Sequence, residues 1–339
     1  MFSLILEFGH TSRRVLGRVA LAAVVTLAVL PQVALAQTPQ ASPVATGFPR
    51  TVTHASGDTT IPEPPLRVVI TNENEALDSL LAVGIEPVLF AVGGGYGEGL
   101  PPWAIAAGAD DLPSFAAVDI FTPDPERFAA VSPDLILGTW LEPDSYEQLS
   151  GIAPTINLKY SEATTWDEVQ RLVGAATGRD AEAAAVIDET NAVIAQACRD
   201  LEPLAGTSVA IAYAWSDSFL VNGENAPLGR LLRECGLDVV SPATDPPGGI
   251  ATLSLEQMQQ VAGADVLISL AFDPASIAGQ EASPLFRTLP AVRDGHYIVL
   301  SPEMAQAFYL ESALSLQWAV PQVVDAVEQA ASGEGTRLE

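Results

Sequence analysis

Basic residues are scarce in this chain. Lysine and arginine total 15 against 42 aspartates and glutamates, a formal net charge of −27 over 339 residues. Nucleic acids and anionic membrane surfaces are held by positive patches, so neither is an expected partner. Histidine is rarer still: His10 lies in the N-terminal segment, His54 in an early hairpin pattern, and His296 at a strand start. Nothing there has zinc- or manganese-ligand spacing, so no metal site is assigned. The glycine-rich stretch at residues 93–99 lacks the Gly-Lys-Ser/Thr ending of a phosphate loop and the spacing of a dinucleotide fingerprint. No Gly-x-Ser-x-Gly elbow and no Cys-His pair stand out, so no catalytic residue and no cofactor are assigned. Beyond the N-terminal segment no apolar run is long enough to span a bilayer. Only two cysteines occur, Cys198 and Cys235. In an exported protein they could pair, and their helical surroundings fit two separate thiols as well.

What is present is a folded chain. Apolar residues make up 48% and charged residues 17%, and the length suffices for two domains with sizeable cores. The N-terminus reads as a targeting segment. Arg13, Arg14 and Arg18 precede an apolar run at residues 19–30, and Ala34-Leu35-Ala36 is a small-x-small cleavage site. A signal peptide is therefore expected at residues 1–36 and a Pro/Ser/Thr-rich flexible linker at 37–49. The Arg13-Arg14 pair hints at twin-arginine export.

The rest is organised around one repeated unit. In Asp124-Pro125-Glu126-Arg127-Phe128, Asp124 can cap a helix and proline suits its first position. A turn at Ser132-Pro133-Asp134 follows, then the apolar run Leu135-Ile136-Leu137, which reads as a strand covered on both faces. The same order returns in Ser254-Leu255-Glu256-Gln257, a capping box, whose helix leads to Asp265 and the strand Val266-Leu267-Ile268. Each copy sets a glutamate in the first helical turn, where the helix dipole alone would favour it. Strand and helix patterns alternate from Arg67 onward, so mainly parallel sheets flanked by helices are expected. The spacing predicts a hairpin at residues 50–61, an N-terminal α/β lobe at 50–165 and connecting helices at 166–204. Asp180 is expected to cap a long helix running to Leu201. A second, similar lobe fills 205–339, closed by a helix from Tyr309 to Ala331 with a kink or break at Pro321.

These pieces resemble, in order and spacing, the substrate-binding proteins of ABC importers for ferric siderophores, haem and cobalamin. The resemblance rests on Thr60-Ile61-Pro62 before Arg67-Val68-Val69, Leu80-Leu81-Ala82-Val83-Gly84, Pro133-Asp134-Leu135-Ile136, and Leu149-Ser150-Gly151-Ile152-Ala153-Pro154-Thr155. In the second half it rests on Leu253-Ser254-Leu255-Glu256-Gln257, Ala264-Asp265-Val266 and Leu289-Pro290-Ala291-Val292. It implies two α/β lobes joined by one long helix, with a ligand held between them. It also implies that Glu126 and Glu256 dock onto arginines of a membrane permease. A ferric siderophore or similar chelate is the expected ligand, with cobalamin or haem as the alternative. An exported α/β enzyme and a sensory protein are the competing readings. A monomer is expected.

Segments that follow strands supply the ligand-binding candidates: Asn72, Tyr96, Trp140, Tyr160, Trp215 and Phe272, with Glu73, Phe219, Met304 and Phe308 behind them. Aromatic rings suit a bulky organic chelate because they bury large area. Trp140 and Trp215 are expected at matching strand exits of the two lobes. Arg127 and Arg230 are the basic candidates. So few cations depart from what an anionic chelate would need and lean toward a neutral or cationic one, such as a hydroxamate chelate or a corrinoid.

Overall fold

The computed structural model describes residues 47–73, 75–93, 99–117, 122–159, 161, 164–215, 218–241 and 249–338. Of Ala214, Trp215, Ser218, Leu255 and Glu256 it describes the backbone alone. The expected signal segment, the linker up to residue 46, Tyr96 and Tyr160 lie outside these residues.

The expected hairpin opens the fold, with β1 (Arg50–His54) antiparallel to β2 (Gly57–Ile61) and Arg50 opposite Ile61. Lobe one follows: β3 (Val68–Ile70), α1 (Glu75–Ala82), β4 (Leu89–Val92), α2 (Pro102–Ala106), β5 (Ser114–Ala116), α3 (Pro125–Ala130), β6 (Leu135–Gly138), α4 (Pro143–Ser150) and β7 (Thr155–Asn157). Its sheet has the order β5-β4-β3-β6-β7, with every pairing parallel. Each residue of β3, β6 and β7 is buried, as strands covered by helices on both faces must be. Gly138 ends β6 because a Cβ there would lie 2.6 Å from Thr71 Oγ1. Asp124 caps α3 as the sequence predicts, its Oδ1 accepting from the Arg127 amide at 3.1 Å.

Two helices lead out of lobe one. The first, α5 (Trp166–Thr177), ends at Gly178 with φ 74° and packs on α1 and β1, so it belongs with lobe one. The second, α6 (Asp180–Asp200), has 21 residues, about 30 Å at 1.5 Å per residue. Arg179, and not Asp180, occupies its cap position, while Asp180 pairs with Arg50 at 2.6 Å. At the far end Cys198 is disulfide-bonded to Cys235, which settles the pairing the sequence left open.

Lobe two contains β8 (Ser208–Trp215), β9 (Ser218–Asn222), α7 (Pro227–Glu234), β10 (Asp238–Val239) and β11 (Ile250–Leu253). Then come a 3₁₀ helix (Leu255–Val261), β12 (Val266–Leu270), α8 (Pro274–Ala282), α9 (Pro284–Arg287), α10 (Pro290–Asp294), β13 (Tyr297–Leu300), α11 (Pro302–Tyr309) and α12 (Ala313–Ala331). Its sheet runs β11-β9-β8-β12-β13, with β10 beside the foot of β8. The contacts of β8 with β12 and of β12 with β13 are parallel, but β9 is antiparallel to both β8 and β11. The sequence pattern missed this hairpin because Ser218–Asn222 is short and follows β8 almost directly. Phe219, a cleft candidate in the sequence, is fully buried in it with Val221. The Ser254 capping box forms, Gln257 Oε1 accepting from the Ser254 amide at 2.9 Å, but it opens a 3₁₀ helix and not an α-helix.

The closing helix starts at Ala313 and not at Tyr309, which ends the helix before it. The chain breaks after Tyr309, and Ser312 recaps it by accepting from the Ser315 amide at 3.0 Å. Pro321 stays inside α12 on its exposed face, where water can take up the freed carbonyl. Helix α12 packs on α11, β12 and β13 of lobe two and on α1, α2, α5 and α6. One apolar core therefore runs through both lobes, from Ile70, Leu80 and Leu137 through Val320 and Val323 to Ile211, Ile268 and Phe308.

Candidate functional site

In lobe one the strand order reverses between β3 and β6, and the crevice outside the carboxyl ends at such a point is where open α/β sheets bind ligands. The chain leaving β3 braces the neighbouring strand ends one after another. Asn72 exchanges two hydrogen bonds with Thr139 beyond β6: its Nδ2 donates to Oγ1 at 2.9 Å and its Oδ1 accepts at 3.1 Å. Glu73 Oε1 accepts from the Gly93 amide beyond β4 at 2.9 Å. Glu75 Oε1 pairs with Lys159 Nζ beyond β7 at 2.9 Å, with only 2% and 11% of the two side chains exposed. Lys159 is the only lysine of the chain. Asn72 thus has a bracing task, tied to Thr139 by both its amide nitrogen and its amide oxygen.

Trp140 stands on the rim of this arrangement. It is half-buried, its φ is +57°, and its amide donates to the Lys159 carbonyl at 2.6 Å. A non-glycine residue in the left-handed region costs roughly 1–3 kcal/mol and persists only where surroundings enforce it. Lys159 Nζ lies 5.9 Å from its ring centre.

Lobe two brings aromatic rings to the corresponding edge. Phe272, just past β12, packs edge-on against Tyr213 at 5.1 Å and against Tyr309 at 5.7 Å. Met304 and Phe308 of α11 are buried in the core, Phe308 lining a small cavity with Phe272, Tyr213 and Tyr309. Trp140 and Trp215 do not emerge from matching strands. Trp140 follows β6, whose counterpart beside the lobe's first strand is β12, while Trp215 ends β8, the counterpart of β3. Equal distance from a strand motif in sequence concealed that difference in topology.

The lobes meet at buried carboxylates, of which the sequence singles out Glu73 alone. Asp78 Oδ2 accepts from Trp103 Nε1 at 2.7 Å and from Ser312 Oγ of lobe two at 2.6 Å. Complete burial pushes the Asp78 carboxyl up to about 7, against the pull of those two donors and with the help of the Glu75 charge. Burial also raises Glu73 and Glu311 above the usual carboxylate range. Glu311 pairs with Arg230 of α7 at 2.5 Å and lies within electrostatic reach of Lys159 and Glu75. The ring of Trp103 also packs on Trp318 of α12 at 5.4 Å. The signal for these residues was faint: acids just after the first strand read as ordinary first-turn helix acids.

Glu126 is exposed in the first turn of α3. Glu256 occupies the 3₁₀ helix that precedes β12 as α3 precedes β6, so both come at the carboxyl edge of their sheets. His54 braces the hairpin, its Nδ1 accepting from the Asn157 amide at 3.3 Å, and His296 Nδ1 bonds the Ala330 carbonyl at 2.7 Å. Burial lowers His54 below its ordinary value.

The sequence matches the family model for periplasmic binding proteins over residues 70–304. It is 27% identical to the ferric enterobactin-binding periplasmic protein FepB of Escherichia coli over 288 residues, 78% of this chain and 88% of that one. It is 39% identical to the probable siderophore-binding lipoprotein YfiY of Bacillus subtilis over 118 residues, 34% of either chain. A solved periplasmic solute binding protein from Mycobacterium smegmatis superposes with TM-score 0.73 at 30% identity, covering 83% of this chain and 98% of that one. The two lobes, the long connecting helix and the matched family model lead to one conclusion: the chain belongs to the periplasmic binding protein family.

Proposed function

We propose that this chain is the extracytoplasmic receptor of an ABC importer, taking a ferric siderophore or related chelate between its lobes and handing it to a membrane permease. The observation that carries the reading is the junction of the lobes, where Asp78 accepts from Ser312, beside the lobe-one strand ends that Asn72, Glu73 and Glu75 brace. Relatives named for siderophore binding share this chain's family. Trp140 and Phe272 face the guest, with Trp215, Tyr96 and Tyr160 joining them from the sequence. Glu126 and Glu256 meet permease arginines. The signal segment directs export, and no helix among the described residues is long and apolar enough to cross a membrane. In this reading the protein binds and delivers as a monomer and performs no catalysis; its membership of a family of binding proteins supports that.

A thermal-shift panel of ferric hydroxamates, ferric catecholates, haem and cobalamin tests this. A true ligand at 100 times its Kd adds about 2.7 kcal/mol of stability. If no chelate stabilises the protein, the receptor reading falls; if haem or cobalamin alone does, the cargo is reassigned within the same fold. Glu126→Ala with Glu256→Ala is expected to leave binding unchanged and abolish uptake.

A further inference from the structure

A four-residue charge cluster built from both lobes lies where they meet and would be the floor beneath a guest held between them. Lobe one gives Glu75 and Lys159, 2.9 Å apart; lobe two gives Arg230 and Glu311, 2.5 Å apart. Lys159 and Arg230 are the cations that the structure brings to these strand ends, and each is already matched by its own carboxylate. Arg67 lies at the foot of β3, bonded to the Val131 and Ser132 carbonyls. Arg127 is stacked on Phe115 at 4.7 Å and paired with Asp124. The remaining arginines of the described residues are carried by β1, by the helices flanking the sheets and their joints, and by the C-terminal tail. Residues 94–98, 118–121, 160, 162–163, 216–217 and 242–248 hold no lysine or arginine in sequence, but do hold Glu98, Asp119, Glu162, Asp217 and Asp245.

Next to the pairs sit two further buried carboxyl groups, Glu73 and Asp78, and one oxygen of each of Glu73, Glu75 and Asp78 has no hydrogen-bond partner among the described residues. Placing a trianion over this floor would set its charge against paired cations and surplus acceptors. Desolvating an anion without a free counter-charge is unfavourable, and like charges a few ångströms apart repel strongly where water is excluded. A chelate with no net negative charge meets no such opposition, and hydroxyl, amide or ammonium donors on it suit the acceptor-rich floor.

We propose that the cleft selects ferric chelates of zero or positive net charge, with the Glu75–Lys159 and Arg230–Glu311 pairs setting that rule. This rests on the receptor reading above. The test is a fluorescence-quenching titration of the intact protein with four probes: neutral ferrichrome, a monocationic ferric trihydroxamate, trianionic ferric enterobactin, and ferric citrate. The neutral and cationic chelates are expected to bind at least about tenfold more tightly than either anionic one. An anionic chelate binding as tightly as the hydroxamates overturns the charge rule while leaving the receptor reading intact. No binding by any of the four overturns the charge rule, and the receptor reading falls with it only if haem and cobalamin also fail in the thermal-shift panel. Glu311→Gln frees Arg230 and is expected to shift the ratio toward the anionic chelates by about tenfold; an unchanged ratio in a folded variant removes the pair from the rule. The wild-type panel stands by itself if that variant does not fold.

Discussion

The two lobes are alike at the foot and unlike at the top. At the foot of lobe one Asp134 accepts from the amides of Leu66 and Arg67, both at 2.8 Å. At the foot of lobe two Asp265 accepts from the Ser208 amide at 2.9 Å and its hydroxyl at 2.6 Å. Each aspartate pins the first strand of its lobe to the strand beside it. Above that the lobes part. In lobe one the central strand β3 ends at Ile70, and the chain delivers Asn72, Glu73, Glu75 and Asp78 to the junction. In lobe two β8 runs on to Trp215 and hairpins into β9, so the junction receives Tyr213, Phe272 and Tyr309. The shared foot fixes the fold and the divergent tops fix the chemistry, polar on one side and aromatic on the other.

The sharpest way to break this contrast is at the buried ion pair of lobe one. Lys159→Met leaves Glu75 buried with no counter-charge and is expected to cost ~3–5 kcal/mol in urea unfolding. Adding Glu75→Gln should restore most of the loss, and a double variant as unstable as the single would deny the pair its role. A second contrast lies along α6, tied to lobe one by the Arg50–Asp180 pair and to lobe two by the disulfide. Cys198→Ala with Cys235→Ala is expected to lower stability by ~2–4 kcal/mol. Arg50→Ala should cost less than ~1 kcal/mol, since Asp180 is more than half exposed and its pair is screened by water.

A third contrast is in pH dependence. Asp78 ordinarily titrates at 3.8 but is raised to about 7 in the fold, first by burial. The folded protein therefore holds a proton that the unfolded chain has released, and stability falls as pH rises through that window. This contribution is whole below the ordinary value and lost above about 7. Between pH 5 and 7 it should amount to about 2 kcal/mol, and Asp78→Asn should flatten that slope in chemical denaturation. A smaller effect probes the likeness at the foot: Asp134→Ala and Asp265→Ala should each cost ~1–2 kcal/mol, and a large inequality would mean the two pins are not equivalent.

Local signals carried far here. The hairpin, the caps at Asp124 and Ser254, the stop at Gly178 and the buried strand at Leu135–Gly138 depend on neighbours within a few residues, so they are written in short windows of sequence. The antiparallel β9 was not legible, because pairing direction is a choice among distant strands. Nor was the bracing of Asn72, whose partner Thr139 lies 67 positions later.

Composition and pattern by themselves determined that the chain is an acidic α/β protein of two lobes, joined by a long helix and poor in cations. Burial, helix capping and charge count are properties of residues and their near neighbours. Tertiary structure alone decided that Asp78 anchors Ser312, 234 positions away. It decided too that Lys159 and Arg230 arrive already neutralised. Electrostatic partnership depends on distance in space and on exclusion of water, and neither is set until the lobes close around one core.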